Sequence, residues 1–287
     1  MAITAELVKN LRDRTGAGMM DCKAVLVETN GDIEAAIDLL RTRGIAKAEK
    51  KGGRTASDGV LATWLSDDHT AGMIIEVNCE TDFVARTDDF QALVQFIRDQ
   101  AITLGDGATA EWAQDPNGPI HPRVQPVIAK LGEKITVSRI VRFAGRGVVT
   151  HYIHLGGKIG VLVEATGVDA SQANNDDVKA LLKEVALQIA AAMPTYLSRA
   201  DVPADVLERE KNVYRGQMAD SGKPANVIEK IIEGKLGSFY EQNVLVDQPS
   251  IRDPKVKVSQ IIATAAKAIS ADVAISRFAR IKVGEQA

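Results

Sequence analysis

Only two cysteines, Cys22 and Cys79, occur in 287 residues, and they sit in unlike contexts. A disulfide framework is therefore not expected, and the usage fits a reducing compartment. No apolar run approaches the roughly 18 residues that cross a bilayer. The opening residues, Met1 to Glu6, lack a basic segment followed by an apolar one, so no export signal is expected and a cytoplasmic location is. Histidines number four and are scattered. His151 and His154 lie three apart on an expected strand, so they point to opposite faces and do not form a metal pair. No G-x-x-x-x-G-K-[ST] and no strand-to-helix G-x-G-x-x-G is present, which argues against a nucleotide held by this chain. Neither a cofactor nor a metal is expected. A thiol nucleophile would need a histidine and an orienting group. Cys79 instead sits between Asn78 and Glu80, where a nearby acid raises the thiol pKa.

The net charge is only −3, which does not describe a general polyanion binder. The charge is uneven, however. Residues 41–54 hold six basic side chains against one acid, whereas 55–130 hold four basic against twelve acidic. The basic run reads either as a solvated linker or as a contact with acid or phosphate, and both readings stay open. The acidic stretch disfavours nucleic acid as main partner, because neutralising phosphates takes lysine and arginine.

Periodicity gives an α+β chain. Thr4 is placed to cap a helix carrying Leu7, Val8 and Leu11 that stops at Gly16. A second helix carries Met19, Met20, Cys22 and Val25. After an Asn30-Gly31 turn, Asp32 caps a third helix that Gly44 is expected to end. Three helices in about 40 residues make a core that is marginal alone. Residues 45–59 read as a linker.

An internal repeat follows. Residues 60–65 and 73–77 read as a hairpin, and so do 148–153 and 161–165. Trp64 matches Tyr152, Gly72 matches Gly160 and Glu76 matches Glu164, each pair 88 residues apart. The offset persists into the helices, where Asp88-Asp89 matches Asp176-Asp177 and Ile97 matches Val185. Two related hairpin-plus-helix units with small antiparallel sheets are expected, each hiding a sheet face under its helix. A strand over 134–143 is expected to join the second sheet. Residues 203–240 read as an inserted antiparallel helical hairpin broken at Ser221-Gly222-Lys223-Pro224. A helix over 258–269 and a strand over 275–283 close the chain. The expected divisions are 1–54, an N-terminal helical module and linker; 55–133, a first core subdomain; 134–202 with 257–287, a second; and 203–256, the inserted hairpin.

The most informative segment is Thr81-Asp82-Phe83-Val84, between a strand and a helix. The second repeat has Asp169-Ala170-Ser171 at matching positions, so an acid beside a large aromatic exists only in the first copy. Aromatics are 4% of the chain, which gives Phe83 weight. Two readings are open. Phe83 packs inward as a staple behind a capping Thr81 or Asp82, or it stands exposed as an anchor for another protein.

Two long stretches resemble signatures of the elongation factor Ts family: Leu11-Arg12-Asp13-Arg14-Thr15-Gly16-Ala17-Gly18-Met19-Met20-Asp21-Cys22-Lys23, and Glu76-Val77-Asn78-Cys79-Glu80-Thr81-Asp82-Phe83-Val84-Ala85. The order of parts is similar too, with a ubiquitin-associated-like helical module first, and the resemblance covers essentially the whole chain. It implies a factor, not an enzyme, that binds elongation factor Tu carrying GDP and promotes loss of the nucleotide. It implies that Thr81, Asp82, Phe83 and Val84 enter the GTPase domain near its magnesium, with Phe83 as a wedge and Asp82 helping to displace the ion. It implies that the N-terminal module touches the same domain. Family members often carry a His-[Val/Ile]-Ala-Ala pattern for a second contact; here Gln188 stands at the His position. Ala24-Val25 likewise follows Lys23 where a further basic residue is usual. Self-association through the hairpin, as a homodimer or a heterotetramer with two GTPases, stays open. A scaffold that binds through the N-terminal module without altering nucleotide release, and an enzyme using Cys79, are the competing readings.

Overall fold

The computed structural model describes residues 3–50, 53–145, 147–218 and 223–285. Three helices open the chain: α1 (Ala5–Thr15), α2 (Met19–Glu28) and α3 (Ile33–Lys50). Thr4 accepts the Leu7 N–H at the start of α1, and Gly16 closes that helix in the left-handed conformation. Asp32 accepts the Ala35 N–H at the start of α3. Val8, Leu11, Cys22, Val25, Leu26 and Ala36 form the small core between the three. The third helix does not end at Gly44 but runs to Lys50, which corrects the expected linker from residue 45. One glycine inside a helix costs about 1 kcal/mol, and the alanines, lysines and glutamate that follow favour helix enough to offset it. Within the basic run, Arg43 pairs with Glu28 and Arg54 with Glu80. The side chains of Arg41, Lys47 and Lys50, and the whole of Lys51, lie outside the described part.

The first core half contains β1 (Asp58–Leu65), β2 (Ala71–Cys79), α4 (Asp82–Ala85), α5 (Asp88–Leu104), α6 (Ala110–Gln114), α7 (His121–Leu131) and β3 (Thr136–Ala144). The second contains β4 (Val148–His154), β5 (Ile159–Thr166) and α8 (Asp176–Ala192). The hairpin α9 (Ala204–Met218) and α10 (Ala225–Asn243) follows, then α11 (Val258–Ile269) and β6 (Ala274–Lys282). The two antiparallel sheets have orders β1-β2-β3 and β4-β5-β6. The strand expected over 134–143 thus belongs to the first sheet and not the second. Its Arg139 stands opposite Glu76 in register and donates to that carboxylate. The equivalent edge of β5 is taken by β6, where Arg277 stands opposite Glu164.

Each sheet buries both faces. Met73, Ile75 and Val77 meet Phe90, Leu93, Val94 and Ile97 of α5. Val161, Val163 and Ala165 meet Val178, Leu181, Leu182 and Val185 of α8. The opposite faces pack on each other through Leu61, Ile74 and Phe143 from one sheet and Val149, Leu162 and Ile281 from the other. The order of layers is helix, sheet, sheet, helix, which explains why β2 reads as a continuous apolar run and not as an alternation.

The seam between the sheets is pseudo-symmetric down to single hydrogen bonds. Leu61 donates its N–H to the Gly157 carbonyl, and Val149, 88 residues later, donates to the His69 carbonyl. Arg139 reaches the Lys282 carbonyl of β6, and Arg277 reaches the Ala144 carbonyl of β3. Gly72 faces Val149 and Leu162, while Gly160 faces Leu61 and Ile74. A Cβ at Gly72 would approach Val149 to 2.8 Å, and one at Gly160 would approach Leu61 to 2.9 Å, so both glycines permit the sheets' close approach. Both β2 and β5 carry an irregularity immediately after the glutamate, at Glu76/Val77 and Glu164/Ala165. The expected repeat is therefore present and packs on itself.

The hairpin leaves and returns at one place, where Leu245 donates to the Tyr196 carbonyl. Lys223 and Pro224 of its expected break precede α10; Ser221 and Gly222 lie outside the described residues. Ile232 and Leu236 are buried on α10, and no described residue of α9 is.

Glu76 is 1% and Glu164 0% exposed. Removing one partner of such a buried pair costs about 3 kcal/mol or more. Glu76→Ala and Glu164→Ala are each expected to lose about that much in urea unfolding; losses under about 1 kcal/mol would class the pairs with exposed ones. His151 on β4 supplies a pH dependence. Its pKa is lowered, first by burial and then by the nearby His69. As pH falls through about 6.5 the unfolded chain takes up a proton that the folded chain resists, so stability present above that pH is lost below it. The thermal midpoint is expected to drop between about pH 7 and pH 5.5, with a shallower drop in His151→Leu.

Candidate functional site

The segment after β2 is built from both ends inward. Cys79 ends the strand wholly buried, and Val84 and Ala85 enter the same core. Between them Thr81 is extended and caps the four-residue helix α4, accepting the Val84 N–H at 3.4 Å. Thr87 then caps α5 by accepting the Phe90 N–H. With residues 79, 84 and 85 turned inward, helical geometry turns Phe83 outward. It is 79% exposed. The staple reading is thereby excluded, since Phe83 does not pack into the core. Asp82 beside it pairs with Arg86 at 2.8 Å, one turn on.

A residue that the sequence reading did not single out completes this corner. Glu133, just past α7, accepts the N–H groups of Glu80 and Thr81 at 3.0 Å each and the Thr81 hydroxyl at 2.6 Å. Glu80 in turn accepts the Lys134 N–H at 2.8 Å. At the matching place in the second half, Asp169 closes its own turn with Ser171 and Gln172, and no aromatic is exposed there.

The cysteines are chemically quiet. Burial, followed by the charges of Glu133 and Asp58, pushes the Cys79 thiol up to about 12. Burial also raises Cys22. Neither is a thiolate near neutral pH, so the reading of Cys79 as a nucleophile has no support in its surroundings. His154 stacks on Tyr152, away from the half-buried His151.

Gln188 lies on α8 and is 2% exposed. Its amide nitrogen donates to the Gln248 side chain and the Pro249 carbonyl, and its oxygen accepts the Ile251 N–H at 2.8 Å. It therefore ties the 248–251 segment to the end of α8 and does not reach the surface itself. The exposed apolar groups at that end are Met193 and Ile251.

The family described as Elongation factor TS matches residues 80–285. The Elongation factor Ts of a Nitratiruptor species is 45% identical, with 99% of this chain and 94% of the relative aligned. That of Aquifex aeolicus is 40% identical over 99% of both chains, and that of a Nostoc species is 43% identical over 99% of this chain and 93% of the relative. The chain belongs to the elongation factor Ts family.

It is accordingly a translation elongation factor, with a role in protein biosynthesis. Among the described residues, no helix is long and apolar enough to cross a membrane. The N-terminal module has its own exposed apolar side chains, Met19, Met20 and Val27, on α2. It sits against α7 across a cleft lined by Ile37, Leu40, His121 and Pro122. Glu133 escaped the sequence reading because it belongs to no periodic pattern and lies 52 residues from Thr81. The Gly132 that precedes it, a left-handed helix stop, was the one local signal.

Two substitutions separate surface from core here. Phe83→Ala is expected to change unfolding free energy by no more than about 0.5 kcal/mol, as for other surface positions. Gln188→Ala leaves the Ile251 N–H and Pro249 carbonyl without their partner and is expected to cost about 2 kcal/mol. Chemical denaturation distinguishes the two, and a Phe83→Ala loss as large as that of Gln188→Ala would contradict the placement of Phe83.

Proposed function

We propose that the protein is a guanine nucleotide exchange factor, which binds elongation factor Tu carrying GDP and speeds release of the nucleotide. The observation that carries this reading is Phe83, a large aromatic standing in solvent on a corner anchored by buried Cys79, Val84 and Ala85. Exposed aromatics on rigid supports make interface anchors, because little entropy remains to be lost on binding. Membership in the family supports the choice of partner.

The mechanism needs no covalent step. The GTPase holds GDP through its magnesium ion and the backbone groups that cradle phosphate. A protein that binds the nucleotide-free form more tightly than the GDP-bound form weakens GDP by the same factor, through linkage. Phe83 supplies the wedge that only the nucleotide-free shape accommodates. Asp82 stands next to it, and on docking its carboxylate trades Arg86 for the surroundings of the magnesium, which loosens the ion. Thr81 caps the helix that carries both, and Val84 roots that helix in the core. Further contacts come from Met19 and Met20 of the N-terminal module, and from Met193 and Ile251 at the surface that Gln188 holds in place. The setting is the cytoplasm, where translation takes place.

Release of a fluorescent GDP analogue from elongation factor Tu, at fixed magnesium, tests this reading. The protein is expected to accelerate release strongly, and Phe83→Ala to slow the accelerated rate about thirtyfold, the equivalent of a hot-spot loss near 2 kcal/mol. Binding without acceleration would favour a scaffold acting through the N-terminal module.

A further inference from the structure

We infer that Glu133 is the positioning residue of the Thr81–Val84 corner, the group that holds Phe83 and Asp82 at the angle from which they act; this rests on the exchange reading above. Backbone N–H groups of an exposed turn are ordinarily left to water, and the turn then samples several conformations. Here one carboxylate oxygen of Glu133 takes the N–H groups of Glu80 and Thr81 together, at 3.0 Å each. The other takes the Thr81 hydroxyl at 2.6 Å. That hydroxyl also accepts the Val84 N–H, so the carboxylate, the threonine and the first turn of α4 form one connected chain of bonds. The return bond from the Lys134 N–H to Glu80 makes the clamp reciprocal.

The clamp is anchored independently of the corner it holds. Gly132 turns the chain out of α7, and Ile128 and Ile135 on either side are buried in the first core. Lys130 on α7 pairs with Asp89 of α5 at 2.8 Å. Glu133 is thus fixed to the same body that receives Val84 and Ala85. The comparison with the second half supplies a control inside the molecule. There Asp169, Ser171 and Gln172 cap the turn locally, with bonds spanning two or three residues. A turn of this kind can therefore close without a distant glutamate. The long-range clamp occurs where an acid and an exposed aromatic must be presented, and charge-assisted bonds of this type are both short and directional.

Two variants and one measurement on the unaltered protein test the assignment. Glu133→Ala removes all three bonds. Glu133→Gln keeps an oxygen for the two N–H groups and an amide that can donate to the Thr81 hydroxyl. With elongation factor Tu loaded with a fluorescent GDP analogue, Glu133→Ala is expected to lower the release rate at saturating factor about tenfold, as for loss of an ordering charge-assisted bond. The concentration giving half the effect should change much less, because the remaining contacts are intact. Glu133→Gln should restore most of the rate. Amide hydrogen exchange reads the clamp without the GTPase: the Glu80 and Thr81 N–H groups should be protected in the unaltered protein and lose about tenfold protection in Glu133→Ala, with β2 unchanged. Free exchange of both amides in the unaltered protein would overturn the inference, even if Glu133→Ala failed to fold. So would full maximal rate in Glu133→Ala, or, where Glu133→Ala is slow, a Glu133→Gln protein just as slow. If Phe83→Ala slows release and Glu133→Ala does not, the inference falls and the exchange reading stands. If the unaltered protein does not accelerate release at all, the exchange reading falls, and with it the role assigned to Glu133.

Discussion

Glu76 and Glu164 each bring a carboxylate into a seam that is otherwise lined by leucine, isoleucine, valine and phenylalanine. A carboxylate in such a place is penalised by several kcal/mol unless a well-placed cation and further donors meet it. Arg139 and Arg277 meet them, and Gly284 N–H and Asn78 add to Glu76 as Ser276 adds to Glu164. A terminal nitrogen of each arginine also donates to a carbonyl of the opposite sheet. The requirement to satisfy two buried charges thus sets an arginine-bearing strand beside each of β2 and β5. It also constrains register, because a slip of β3 would break the Glu76–Arg139 pair and a slip of β6 the Glu164–Arg277 pair.

The corner that carries Phe83 depends on this arrangement. It begins where β2 ends, three residues after Glu76, and closes against β1, α5 and the segment after α7. A duplicated unit gives a scaffold with two equivalent corners, and only one was given an exposed aromatic, a neighbouring acid and a clamp from outside its own turn. The other, around Asp169, keeps the shape without the chemistry. The difference between them is a compact statement of what the site adds to the fold.

Much of this was legible in the sequence, for physical reasons that differ by feature. Capping at Thr4 and Asp32, the stop at Gly16 and the 88-residue repeat rest on local chemistry and periodicity, and the structure has them. Phe83 could be noticed but not placed, because a staple and an anchor share the same local sequence; only the burial of Val84 and Ala85 decides. The strand bearing Arg139 reads toward the second sheet, since its true partner Glu76 lies 63 residues away and Glu164 offers an equivalent carboxylate. The helix running on past Gly44 shows neighbouring propensities outweighing one glycine. Gln188 and Glu133 do their work through long-range bonds to backbone groups, which no spacing reveals.

The exchange proposal requires that the protein distinguish two states of elongation factor Tu. The most direct test is its affinity for elongation factor Tu measured twice, once with the GTPase nucleotide-free and once saturated with GDP and magnesium. The account predicts much tighter binding to the nucleotide-free form, by the same factor as the protein weakens GDP binding. Equal affinity for the two forms would contradict it, since a ligand that does not distinguish two states cannot shift the balance between them.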